Sequence, residues 1–159
     1  MAIVEKVASL RYRATDTTSY TGVTYNSIKS FNISDISDNM EIIIATGEIF
    51  IPHTGIYSYN LQLDCSASSN VSSIDLAINN NSANTNIGNA GQNGGVNRKY
   101  VDGIHFAAGL TNTIGLSGIS KFNSTNQVQL YIKVSGTGSV SLDNANESIF
   151  SMALLYATD

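Results

Sequence analysis

Ser148-Ile149-Phe150-Ser151-Met152-Ala153-Leu154-Leu155-Tyr156 is the stretch on which the fold turns. In an extended strand successive side chains point to opposite faces. Phe150, Met152, Leu154 and Tyr156 would then share one face, and Ile149, Ala153 and Leu155 the other. Both faces are apolar. A sandwich strand meets its own core on one face only, so the second face calls for another cover. The economical cover is a second copy of the same chain, and the expectation is a symmetric oligomer.

Working outward, short alternating or β-branched runs fill the rest of the 159 residues. They are Val7 to Arg13, Gly22 to Tyr25, Ile28 to Ile33, Glu41 to Ala45, Glu48 to Ile51 and Gly55 to Leu63. Ser73 to Ile78, Tyr100 to Ala107, Thr113 to Phe122, Val128 to Val134 and Ser139 to Leu142 follow. The clearest is Gly55 to Leu63, with Tyr57, Tyr59, Leu61 and Leu63 predicted on one face and Ser58, Asn60 and Gln62 on the other. Clusters of Asn, Gly, Ser and Asp separate the runs, as turns require. No apolar pattern of helical period persists beyond two turns. About ten short strands at this spacing predict an all-β sandwich or barrel in a single domain, 1–159. Residues 1–7 are expected to form an N-terminal arm. Asn79 to Asn97 is polar and glycine-rich and reads as a long exposed loop.

Composition narrows the function. Charged residues make up 13% of the chain, against about 25% in ordinary globular proteins, and Ser, Thr and Asn take their place. The net charge is −4 and the eight bases are scattered, so no phosphate-tracking stripe exists and nucleic acid is not an expected partner. No segment approaches the ~20 apolar residues of a membrane-spanning helix. Met1 to Leu10 contains Glu5 and Lys6 but no signal-peptide core, and the expectation is cytoplasmic synthesis without ordinary export. The single cysteine, Cys65, ends an apolar run and is expected buried as a small apolar side chain.

No catalytic or metal-binding constellation emerges. Nucleophilic catalysis needs a base beside the nucleophile, and His53 and His105 are the only histidines. Zinc needs three or four His, Cys or carboxylate ligands, which one cysteine and two distant histidines do not supply. Gly88, Gly91 and Gly94 lack the strand–loop–helix setting of a phosphate loop. Asp35, Asp38 and Glu41 read as a solvated acidic turn rather than a calcium loop. Hence no cofactor is expected. Tyr12, Tyr20, Tyr25 and Tyr100, set among polar residues, are candidates for carbohydrate or protein contact.

Three stretches, in order, point to a family. Pro52-His53-Thr54-Gly55-Ile56-Tyr57 resembles the P-x-x-G-x-Y signature of the C1q/TNF-like jelly rolls. Gly118-Ile119-Ser120-Lys121-Phe122 followed by Gln127-Val128-Gln129-Leu130 is similar to a later strand–turn–strand of that family. Ser148 to Tyr156 resembles its closing S-x-F-S-G-F-L-L-Y. The chain departs from the pattern where Ile49 replaces Phe, Thr125-Asn126 replaces Gly-Asp, and Met152-Ala153 replaces Gly-Phe. It has no collagen stalk and no tryptophan.

The resemblance implies a ten-stranded jelly-roll β-sandwich assembled as a homotrimer, with the last strand near the threefold axis. Carried over by position, Ser58, Asn60, Phe150, Met152 and Leu154 are the expected trimer-interface residues. Asn81, Asn84, Asn86, Asn89, Gln92, Asn93 and Tyr100 are the expected exposed binding loop. The function these features suggest is non-enzymatic: a trimeric decoration of a bacteriophage virion, docked on a capsid or other virion protein through the N-terminal region. The alternatives are a fibre head that binds a host surface protein or glycan, and a secreted ligand of the C1q/TNF-like kind working extracellularly.

Overall fold

The computed structural model describes residues 6–14, 18–22, 24–68, 70–79, 96–102, 111–125, 127–142 and 148–159, with backbone alone for 96–102 and 111–112. Thirteen strands and no helix occur among them: β1 (Ser9–Ala14), β2 (Ser19–Thr21), β3 (Asn26–Ser27), β4 (Phe31–Asp38), β5 (Ile42–Ile43), β6 (Glu48–Ile49), β7 (Gly55–Ala67), β8 (Val71–Asn79), β9 (Val96–Asp102), β10 (Thr111–Phe122), β11 (Val128–Gly136), β12 (Ser139–Leu142) and β13 (Ile149–Ala157). All pairings are antiparallel. They form a seven-stranded sheet ordered β2-β12-β7-β13-β1-β4, with β10 also on β7, and a six-stranded sheet ordered β5-β6-β11-β8-β9, with β3 also on β11.

The core lies between the two sheets. Tyr57, Leu61 and Leu63 of β7, Phe150 of β13, and Ile74, Leu76 and Ile78 of β8 are wholly buried. Tyr59 and Met152 join them, as does Cys65, a buried free thiol. Alternation in Gly55 to Leu63 therefore assigns the faces of β7 correctly, and that strand runs four residues further, to Ala67.

The turn that feeds β7 is tied by its own strand. The Tyr57 hydroxyl donates to the His53 carbonyl at 2.7 Å, which fastens the Pro52 turn to the third residue of the strand. Gly55 is needed for room rather than for a left-handed backbone. A Cβ there would sit 2.5 Å from the Tyr156 carbonyl oxygen and 2.8 Å from Leu154 Cδ1. The tyrosines then stack edge-on against Phe122 of β10, at 5.9 Å for Tyr57 and 6.1 Å for Tyr59, a geometry favoured by the ring quadrupoles.

Several expectations change here. The run from Tyr100 to Ala107 begins earlier, at Val96, with 103–110 outside the described residues. Asn79 is a buried residue of β8, so the polar excursion starts one residue later. Residues 80–95 lie outside the described residues, and with them Asn81, Asn84, Asn86, Asn89, Gln92 and Asn93. Tyr100 is in β9 opposite Asp75. Tyr12 and Tyr20 are core side chains, 5% and 6% exposed, and are not surface contacts: polar neighbours in sequence are simply the outward half of the alternation. Tyr25 packs on Ala77 and Tyr131.

Candidate functional site: the outer face of the seven-stranded sheet

The two predicted apolar faces of the closing strand separate in the structure. Phe150 (0% exposed) and Met152 (2%) point into the chain's own core, and Leu154 packs against that core from its edge. Within the single chain Phe150 and Met152 are therefore core side chains rather than surface ones, and Leu154 is partly buried at the core's edge. They pair with inward positions of β7: Phe150 with Leu61, Met152 with Tyr59, Leu154 with Tyr57. Tyr156 does not stay on their face. The register slips between Leu154 and Tyr156, so Tyr156 pairs with outward-facing Ile56 and Leu155 sits in the irregularity between them. A bulge inserts one residue and reverses the alternation beyond it.

Ser58 and Asn60 lie on the outward face. Their cross-strand neighbours define it. One row runs Ile36 (β4), Arg11 (β1), Ser151 (β13), Asn60 (β7), Ser117 (β10). The next runs Asp38, Ser9, Ala153, Ser58, Ile119, and a third Ile33, Arg13, Ile149, Gln62, Gly115. Tyr156, Ile56 and Lys121 finish the sheet. The centre is made of small, mostly polar residues with one cation, Arg11, and a shallow depression of about 300 Å³ lies over Ser9, Arg11, Ile36, Ser58, Asn60, Ser151 and Ala153. Around it stand large apolar side chains open to solvent: Ile119 (66% exposed), Tyr156 (59%) and Ile36 (47%). Small central residues with apolar surroundings suit close approach of another flat surface.

The rows of this face carry Arg11, Arg13, Asp38 and Lys121, and Arg13 is held in an ion pair. Arg13 donates from Nε to Asp35 Oδ2 at 2.7 Å and from Nη2 to Oδ1 at 3.0 Å, and the guanidinium holds the Asp35 carboxyl below its usual range. Asp35 therefore serves an ion pair, and among the described residues no group of acidic, histidine or cysteine side chains is placed to hold a metal. At the sheet's end Lys6 Nζ bonds Asp159 Oδ1 at 2.7 Å and the Thr54 amide donates to Asp159 Oδ2 at 2.9 Å. Those bonds lower the Asp159 carboxyl as well.

Ile119, Ile36 and Tyr156 were not among the expected site residues. A signal existed for Ile119: Ile114, Leu116 and Phe122 keep one parity in β10, and Ile119 breaks it. For Ile36 the signal is hidden, because register shifts against β1 put Ile33 and Ile36, three apart, on one face.

Two antiparallel sheets joined face to face in this order define a jelly-roll sandwich. Among solved structures, the chain is similar to Eiger TNF from S. frugiperda, with a TM-score of 0.67 at 11% identity over 98% of this chain and 96% of that one. It is similar to murine APRIL, TM-score 0.60 at 12% identity over 94% and 100%, and to the globular domain of zebrafish complement 1qA, TM-score 0.54 at 12% identity over 96% and 100%. The chain has the C1q/TNF-like jelly-roll fold. No family model matches the sequence, and no curated protein matches it.

Proposed function

We propose that this protein is a non-enzymatic assembly module, a homotrimer that buries the outer face of its seven-stranded sheet against its copies. One observation carries this: the two most exposed large apolar side chains among the described residues, Ile119 and Tyr156, together with exposed Ile36, surround the small residues Ser58, Ser151 and Ala153 on a single sheet face. Burying Ile119 and Tyr156 would remove apolar surface worth about 25 cal/mol per Å² from water, and the small centre lets backbones approach. The likeness to TNF and complement domains supports a module that works by assembly and recognition. We place the trimer on the exterior of a larger particle, a virion surface contacted through the N-terminal region, on the ground of its sparse charge and hydroxyl-rich composition.

Light scattering tests the core of the proposal. The expected mass is three times the 16.9 kDa chain, with Ile119→Asp monomeric and folded. A wild-type monomer at micromolar concentration would overturn it.

A second function, recognition of a surface glycan, rests on a polar cleft of about 400 Å³ lined by Ser19, Thr21, Asn26, Ser27 and Lys29, with the buried Tyr20 beneath them. Hydroxyl, amide and ammonium groups, with no carboxylate among the described lining residues, suit a neutral or acidic sugar. Glycan-array binding that disappears in Lys29→Ala and Asn26→Ala is the expected result; an array without hits removes this function.

A further inference from the structure

The β5–β6 hairpin carries a pattern that the sheet-face contact leaves unused. Ile42 and Ile49 pair and point inward, 5% and 1% exposed. The positions on either side must then point outward. Ile43 pairs with Glu48, and the Phe50 amide donates to the Glu41 carbonyl at 2.9 Å. The outward face is therefore a two-by-two square in which two carboxylates alternate diagonally with two apolar side chains, Ile43 (41% exposed) and Phe50 (50%). An open cleft of about 630 Å³ continues from Glu41 and Phe50 across Val7, Met40, Pro52 and His53, with Lys6, Ser37 and Asn39 on its far side. Val7 is 47% exposed beside it.

The charge balance has a sign. Of the neighbouring cations, Lys6 is bonded to Asp159, and Lys29 lays its stem beside Gly47 at the turn. Glu41 and Glu48 supply the charge of the square itself. β5 is the last strand of its sheet among the described residues, where a further strand can be added by backbone pairing.

From this geometry we infer that the β5–β6 face and its cleft dock an extended segment of a partner protein that carries basic and apolar side chains two residues apart, so that both lie on one face of the segment as Glu41 and Ile43 do at β5. The basic groups meet Glu41 and Glu48, and the apolar ones enter beside Ile43, Phe50 and Val7. Such matching of charge sets partner choice and association rate. The inference does not depend on the trimer: Lys6, Val7, Ser37 and Asn39 at the far side of the cleft lie in or beside β1 and β4, but the β5–β6 square belongs to the other sheet.

The test is a titration of the isotope-labelled 159-residue protein, followed by NMR, with the peptides acetyl-Lys-Ser-Phe-Ser-amide and acetyl-Glu-Ser-Phe-Ser-amide. The basic peptide should give saturable shifts at Val7, Glu41, Ile43 and Phe50, weakened by added salt. The acidic peptide should bind about tenfold more weakly or worse. In the double variant Glu41→Lys, Glu48→Lys the preference should invert, and Phe50→Ser, an exposed change with little reason to unfold the chain, should weaken both peptides. Equal response to the two peptides, or no response at millimolar concentration, overturns the proposal. So does a change of solution mass in Phe50→Ser, because the face would then be a contact between copies.

Discussion

β7, β10 and β13 present the same three strands to two environments. On the inward face Tyr57, Tyr59, Leu61, Phe150 and Met152 fill the sandwich, each 5% exposed or less. On the outward face the residues between them are Ser58, Asn60, Ser117, Ser151 and Ala153, with Ile119 and Tyr156 open to water. The inward side chains are held by neighbours within one chain, so their cost of removal is a folding cost. The outward apolar groups gain nothing from folding alone. An interface and a core can thus share a backbone while their energetics separate cleanly, and substitutions on the two faces should fail in different assays.

The largest effect belongs to the inward face. Phe150→Ala deletes a wholly buried ring packed 6.3 Å from Phe31. A loss of roughly 3–5 kcal/mol is expected in denaturant unfolding, a large part of the stability of any single domain. A loss below 1 kcal/mol would mean that the closing strand is not a core strand.

Next comes the seam where the faces meet. Gly55→Ala would place a methyl 2.5 Å from the Tyr156 carbonyl, and backbone oxygen cannot swing away as a side chain can. About 1–3 kcal/mol of destabilisation is expected, with weakened exchange protection of the β7–β13 amides near Ala157. Gly118→Ala meets the Tyr59 hydroxyl instead, also at 2.5 Å. That is the far end of a side chain, so its cost should be smaller. Equal costs would show that Tyr59 is as fixed as the backbone.

How much of this was legible beforehand follows from parity. Strict alternation in Gly55 to Leu63 places every side chain of that segment, because its pairing with β10 runs without a shift and the slip against β13 puts the extra residue in β13. The Pro52–Tyr57 turn was legible for the same local reason. Parity fails where a strand is irregular. The slip at Leu155 carries Tyr156 across the sheet, and the shifts between β1 and β4 bring Ile36 beside Arg11; nothing in one strand's own residues announces its partner's register. The burial of Phe150 and Met152 is hard to read for another reason. With both faces apolar, the sequence does not say which face is the core, and the bulkier one is.

A smaller effect on folding separates the outward face. Ile119→Asp changes a side chain that is 66% exposed in the single chain, so the stability of the monomer should move by no more than about 0.5 kcal/mol. The assembled mass should fall to that of one chain. Loss of folding instead of loss of mass would erase the distinction between the faces.

The smallest effect is set by pH at the rim. Arg13 lowers Asp35 through its side-chain hydrogen bonds, and Lys6 with the Thr54 amide lowers Asp159. A carboxylate lowered in the folded state contributes stability that is complete above its unfolded value, near 3.8, and is lost as pH falls through the folded one. The protein should therefore be indifferent to these groups from pH 7 to about 5 and lose their contribution only in stronger acid. Both groups are exposed ion-pair partners, where screening keeps the gain small. Asp159→Asn should flatten the acid limb of a melting-temperature profile while leaving its neutral plateau nearly unchanged. A plateau that drops as far as it does in Gly55→Ala would make the Lys6–Asp159–Thr54 cluster a structural clasp for β13, and the boundary between core and rim would have to be moved outward to include it.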